Sequence, residues 1–192
     1  MKPALLVATM LAAFVSQAYA TESYTLLSSH TYPNFEADHW NGLSVWRGKF
    51  TKTTGNVMLD REAKTGTLDV VIETASVDVG HSTMNAVLKS SRILDAEKYP
   101  TINYRGKSMR FEGDKPVEVI GDLTLNGVTK PLNLQIDSFK CMKSYIYKRQ
   151  VCGVNVFGSF NRADFGVNVN LELGFRPEIK LAIQAEGLIN NE

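Results

Sequence analysis

The stretch Val119-Ile120-Gly121-Asp122-Leu123-Thr124-Leu125-Asn126-Gly127-Val128-Thr129-Lys130-Pro131-Leu132-Asn133-Leu134-Gln135-Ile136 decides how this chain folds. Asn-Gly adopts the positive φ angles of a type I′ turn, whose twist matches that of the strands on either side. Residues 119–125 and 128–136 therefore read as the two arms of an antiparallel hairpin. In the second arm Leu132, Leu134 and Ile136 alternate with Asn133 and Gln135. A period of two gives one apolar face and one wet face. Pro131 falls early in this arm, where a missing N–H is tolerated at an edge or a strand start.

The same period recurs outward from the hairpin. Leu68, Val70 and Ile72 alternate with Thr67, Asp69 and Val71, and Ile179, Leu181, Ile183 and Ala185 alternate with polar or small residues. Further turn signals fall at 60–66, 113–116 and 175–177. Eight or nine strands fit between residues 24 and 187, which argues for an all-β sandwich or barrel. One segment breaks the pattern. Over 82–99, Met84, Val87, Leu88 and Ser91 lie at helical spacing, and 95–98 reads as a second short helical turn ended by Pro100. A single helix in an all-β chain covers or plugs one end of a barrel, or packs outside it. With no internal repeat, low-complexity tract or linker, the chain reads as one domain.

Residues 1–20 have the layout of a cleaved secretory signal: Lys2, an uncharged and mostly apolar run from Ala4 to Val15, and the small-x-small site Ala18-Tyr19-Ala20. The run is too short for a comfortable membrane span. The mature chain is then residues 21–192, long enough to bury a sizeable core. Without Lys2 the chain has 20 basic against 20 acidic residues, so there is no basic excess of the kind a nucleic-acid binder carries. The densest basic stretch, Lys140, Lys143, Lys148 and Arg149, is interleaved with Met142, Tyr145 and Tyr147. It reads as a solvated loop, with a membrane-surface or partner contact as the alternative. Cys141 and Cys152 are the two cysteines. An even count in an exported chain favours a disulfide, here one closing a loop between two strands.

Chemical motifs are scarce. There is no G-x-S-x-G, H-E-x-x-H or Gly-rich phosphate loop. The three histidines, His30, His39 and His81, show neither the spacing of a metal site nor a local base–nucleophile pairing. The reading is therefore of a chain with no catalytic residues, no metal and no cofactor.

Gly121-Asp122-Leu123-Thr124-Leu125-Asn126-Gly127-Val128-Thr129-Lys130-Pro131 resembles the signature hairpin of the YceI-like family. Other segments resemble that family in the right order: Phe35, His39, Gly48 and Phe50 its first hairpin, 76–95 its strand-to-helix stretch, Lys98-Tyr99-Pro100 the segment after the helix, and Asn161-Arg162-Ala163-Asp164-Phe165-Gly166 its late motif. The resemblance covers essentially the whole mature chain. It implies an antiparallel eight-stranded lipocalin-like β-barrel with one short helical segment, located in the bacterial periplasm. It also implies a long apolar cavity for an isoprenoid quinone, a polyprenyl lipid, or a fatty amide or acid, and it is compatible with a homodimer.

A barrel of about eight strands either fills its interior with side chains or holds one small ligand, and the residues by themselves leave both readings open. In the ligand-holding reading, Phe35, Trp46, Phe50, Met58, Leu94, Tyr104, Leu123, Phe157 and Phe165 are expected on inward faces. His39 and Trp40 are expected at a mouth, where an amphipathic ring and a donor meet a polar head. The competing readings are a filled barrel with a structural or partner-binding role, and an enzyme acting on a small amphiphile.

Overall fold

A computed structural model describes residues 21–190 of the chain; the signal expected over residues 1–20 lies outside these. The strands are β1 (Glu22–Leu26), β2 (Tyr32–His39), β3 (Ser44–Phe50), β4 (Thr53–Asp60), β5 (Thr65–Glu73) and β6 (Val77–Asp78), followed by the helix α1 (Ser82–Lys89). Five longer strands complete the chain: β7 (Thr101–Glu112), β8 (Lys115–Leu125), β9 (Val128–Lys143), β10 (Gln150–Asn161) and β11 (Glu178–Ile189). All pair antiparallel, in the ring β1-β4-β5-β7-β8-β9-β10-β11, which the β1–β11 pairing closes. The barrel thus has the eight strands that the family resemblance implies, within the eight or nine that the turn spacing allows.

The three remaining strands continue members of the ring past a break. β11 pairs with β1 through Gly187–Ile189 and, nearer its start, with β2 through Ile179–Gln184. β4 pairs with β1 while β3 pairs with β2. β5 pairs with β4 at Thr53↔Ile72 and β6 with β3 at Phe50↔Val77. Each break leaves backbone groups off the ladder, and buried amides and carbonyls must find other partners. They find them locally: Thr51 N–H donates to Ser76 O, Lys52 N–H to Ser76 Oγ, Glu73 N–H to Lys52 O and Thr74 N–H to Pro100 O.

The opening hairpin forms as read. Asn126 and Gly127 take φ values of 51° and 73°, and β8 pairs with β9 from Leu125↔Val128 to Glu118↔Gln135. Gly121 is needed for space: a Cβ there would stand 2.5 Å from Arg105 O and 2.7 Å from Tyr104 Oη. α1 is capped by His81, whose Nδ1 accepts from Met84 N–H at 3.2 Å. Past it, the second turn expected near 95–98 is a single hydrogen-bonded turn, Tyr99 N–H to Asp95 O. Asn126 Nδ2 donates to Ile93 O, which fastens this segment over the end of the barrel where the 126–127 turn lies.

Candidate functional site

Inward-pointing residues enclose an interior cavity of about 500 Å³, within the range of roughly 300–1,000 Å³ that small-molecule sites occupy. Its walls are mostly aliphatic. Leu68, Val70 and Ile72 of β5, Leu132, Leu134 and Ile136 of β9, and Ile179, Leu181, Ile183 and Ala185 of β11 all line it. These are the alternating runs that marked the strands in the sequence. Met84, Val87 and Leu88 of α1, with Ile93 and Leu94 after it, close over one side.

The two ends of the cavity differ. At the end bearing the β4–β5, β7–β8 and β9–β10 turns, Tyr24, Leu59, Cys152 and Ile189 are buried together, with Phe111, Phe139 and Cys141 against them. Cys141 and Cys152 face one another across the β9–β10 ladder and form a disulfide, with Cα atoms 4.0 Å apart. Tyr24 Oη donates to Glu22 Oε2 at 2.9 Å and accepts from Gln150 Nε2 at 2.6 Å. Burial, then the Glu22 carboxylate, push this phenol up to about 12.

The other end carries all the charged and amide side chains of the lining: Asp38, His39, Arg92, Arg162 and Asn170. Arg92 is exposed, so the cavity opens here. The β2–β3 turn, with positive φ at Trp40, Asn41 and Gly42, carries an aromatic cluster. The His39 ring is edge-on to Trp46 at 6.1 Å and to Phe175 at 5.6 Å, and Trp46 is edge-on to His81 at 6.4 Å. His39 Nδ1 lies 3.2 Å from Ser44 Oγ, and the ring makes no ion pair among the described residues. Asp38 accepts the backbone N–H of Arg176 at 3.0 Å, and this bond holds its carboxyl below the usual range. Arg162 donates from Nη1 to Val167 O at 2.8 Å and from Nη2 to Val169 O at 2.9 Å. It ties the 167–170 segment to the end of β10, and burial pulls its guanidinium below the ordinary value.

Most of the residues expected on inward faces are there. Phe35, Trp46, Phe50, Leu94, Tyr104 and Leu123 line the cavity, and His39 lies at its mouth. Tyr104 lies over Gly121 of the neighbouring strand β8 and donates to Leu132 O of β9 at 2.9 Å, and burial pushes its hydroxyl up. Trp40 sits at the mouth but outside the lining. Three placements correct the sequence reading. Met58 and Phe157 are 41% and 45% exposed and point outward, because the inward register of β4 runs through Val57 and Leu59 and that of β10 through Val154 and Val156. A shift of one residue moves a strand side chain to the opposite face. Phe165 is buried but stands behind the lining, edge-on to Phe160 at 5.3 Å. Arg162, Phe175 and the aliphatic walls were missed as site residues, although the alternation of the walls was visible. Among the described residues no group of three or more His, Cys, Asp or Glu side chains is placed to hold a metal ion.

The class of protein is therefore a closed eight-stranded antiparallel barrel with an apolar interior cavity open at one end. Residues 24–187 match the model of the YceI-like domain. The chain is 31% identical over 161 residues to Protein YceI of Escherichia coli O157:H7, covering 83% of this chain and 82% of that one. It is 30% identical over the same length to Protein YceI of Salmonella arizonae. Among solved structures, a Campylobacter jejuni YCEI protein superposes with a TM-score of 0.65 at 22% identity, covering 98% of this chain and all of that one. A polyisoprenoid binding domain from Saccharophagus degradans superposes with a TM-score of 0.61 at 14% identity, covering 86% and 98%. The chain belongs to the YceI-like family.

Proposed function

We propose that the protein is a non-catalytic carrier. It holds one long apolar amphiphile, an isoprenoid quinone, a polyprenyl lipid or a fatty acid or amide, with its tail in the barrel and its head at the mouth. The observation that carries this is the shape of the interior: aliphatic walls around about 500 Å³, closed by packing at one end and bordered by Asp38, His39, Arg162 and Asn170 at the other. A filled barrel would leave no such space. The polyisoprenoid binding domain of Saccharophagus degradans shares this fold, which supports the isoprenoid class. The residues at the mouth argue for binding over catalysis: Asp38 and Arg162 spend their hydrogen bonds on backbone groups of the mouth loops. The sequence of residues 1–20 and the disulfide between Cys141 and Cys152 support export to the periplasm.

A tail with no charge along its length is gripped only by removal of apolar surface from water. Each buried CH₂ contributes ~0.8 kcal/mol, so some fifteen give roughly 12 kcal/mol gross. Lost translation and chain freedom offset about half. The remaining ~6 kcal/mol corresponds to a Kd of roughly tens of micromolar. Titration with prenyl quinones of increasing chain length, followed by quenching of tryptophan emission, tests the reading. Affinity is expected to rise with each prenyl unit and then level off when the cavity is full. Binding that does not saturate, or that ignores tail length, would contradict it.

A further inference from the structure

The cavity opens among side chains that are themselves apolar and turned to solvent. Trp40, Leu43 and Leu173 are 62%, 74% and 66% exposed, and Val45 beside them is exposed as well. Trp40 and Leu43 belong to the β2–β3 turn, Val45 to the start of β3, and Leu173 to the short turn Leu171–Leu173. These segments form one rim. The Trp40 ring stands edge-on to Phe175 at 6.4 Å, Arg176 Nε donates to Asn41 Oδ1 at 3.3 Å, and Arg176 N–H donates to Asp38. His39 and Phe175 belong both to this rim and to the cavity lining. The apolar surface therefore runs from the outside of the rim into the interior. Trp40 is presented from a backbone φ of 52°, a conformation that bulky residues seldom adopt.

We propose that this rim docks on the surface of a phospholipid bilayer. Trp40, Leu43 and Leu173 seat at the headgroup boundary, and the amphiphile passes between membrane and cavity without crossing water. The proposal rests on the carrier reading. Amphipathic aromatic rings favour the interface and aliphatic side chains the acyl region beneath it. The charges of the rim balance: Arg47 pairs with Glu36 at 2.7 Å, Arg176 stands against Asp38, and the exposed Arg92 and Glu172 are opposite in sign. Docking is therefore driven by apolar contact and depends little on salt or on anionic lipid. The opposite end offers a different surface. There the exposed Tyr145 and Ile146 stand among Lys140, Lys143 and Lys148, which make no ion pair among the described residues; attraction there would need anionic lipid and would fall with salt.

The test uses residues 21–192 and phosphatidylcholine vesicles whose acyl chains carry a bromine quencher. The chain has two tryptophans, so Trp46→Phe leaves Trp40 as the reporter. Vesicles are expected to shift Trp40 emission to the blue and to quench it, equally at low and high salt. The double variant Leu43→Ser, Leu173→Ser should weaken vesicle binding at least tenfold, whereas Tyr145→Ser, Ile146→Ser should leave it unchanged. Uptake of a prenyl quinone added from ethanol, measured on each variant, separates this proposal from the carrier reading: loss of uptake in the unmodified chain refutes the carrier. Intact uptake with Trp40 emission unmoved by vesicles overturns the docking proposal. So does loss of vesicle binding in the Tyr145, Ile146 variant alone.

Discussion

At one end of the barrel Tyr24, Leu59, Cys152 and Ile189 bury one another, with Cys152 held in a disulfide; at the other, His39, Trp46 and Phe175 ring the opening of an apolar cavity. The same strands supply both ends. β11 gives Ile189 to the closed end and Ile179 to the interior, and β10 gives Cys152 to the closed end and Arg162, just past its last residue, to the mouth. What differs is how polar groups are satisfied. At the closed end side chains meet side chains, as in Tyr24 with Glu22 and Gln150. At the mouth the two charged residues of the lining that make hydrogen bonds meet backbone, Asp38 with Arg176 N–H and Arg162 with Val167 and Val169, beside side-chain contacts such as Arg176 with Asn41. The comparison teaches that stability and space are kept apart along the barrel axis. A cavity costs dispersion contacts, and the tight packing that offsets this loss sits where no ligand enters.

Substitutions at the two ends should therefore separate folding from binding. Ile189→Ala at the closed end, where the side chain is buried outside the cavity lining, is expected to lower the free energy of unfolding by about 3 kcal/mol, as for other deletions of buried Ile side chains, while leaving quinone affinity intact. Urea unfolding and ligand titration on the same variant check both halves. A loss of affinity with unchanged stability would break the comparison. Ile183→Trp fills the cavity from β11. Affinity is expected to fall about tenfold, equivalent to about 1.4 kcal/mol, with the urea midpoint close to that of the unmodified chain. If this variant unfolds instead, the interior is packed more tightly than its volume indicates.

The smallest effect is on alkaline stability. The Tyr24 phenol has an ordinary value of 10.0 and is pushed up to about 12 by burial and then by Glu22. The folded chain therefore holds this proton more tightly than the unfolded chain. Stability from this group is complete below pH 10 and is lost as pH rises toward about 12. Tyr24→Phe should flatten part of the decline, leaving a residual slope from Tyr104, which burial also pushes up. Chemical unfolding at pH 9 and at pH 11 measures it. An unchanged slope in the variant would place the titration elsewhere.

Much of this was legible in the sequence. Asn126-Gly127 set the central hairpin, and the alternation of Leu68-Val70-Ile72, Leu132-Leu134-Ile136 and Ile179-Leu181-Ile183 named strands whose inward faces turn out to be the walls. The site was less legible because aromatic residues drew the reading away from these aliphatic runs. Met58 and Phe157 are of the right size and type, yet each sits one residue out of the inward register, and register is fixed by neighbours distant in the chain. Arg162 was visible only as part of a motif, because its partners, Val167 O and Val169 O, are backbone atoms with no side-chain signature. The breaks that divide three strands depend on satisfied backbone groups at Ser76 and Pro100, which no periodicity reports.

The most direct test of the carrier reading is mass spectrometry of an organic extract of residues 21–192, purified without detergent from an exporting host. A long-chain isoprenoid or fatty amphiphile at one equivalent per chain is the predicted result. An empty protein that also fails to take up added quinone or fatty acid would contradict the account.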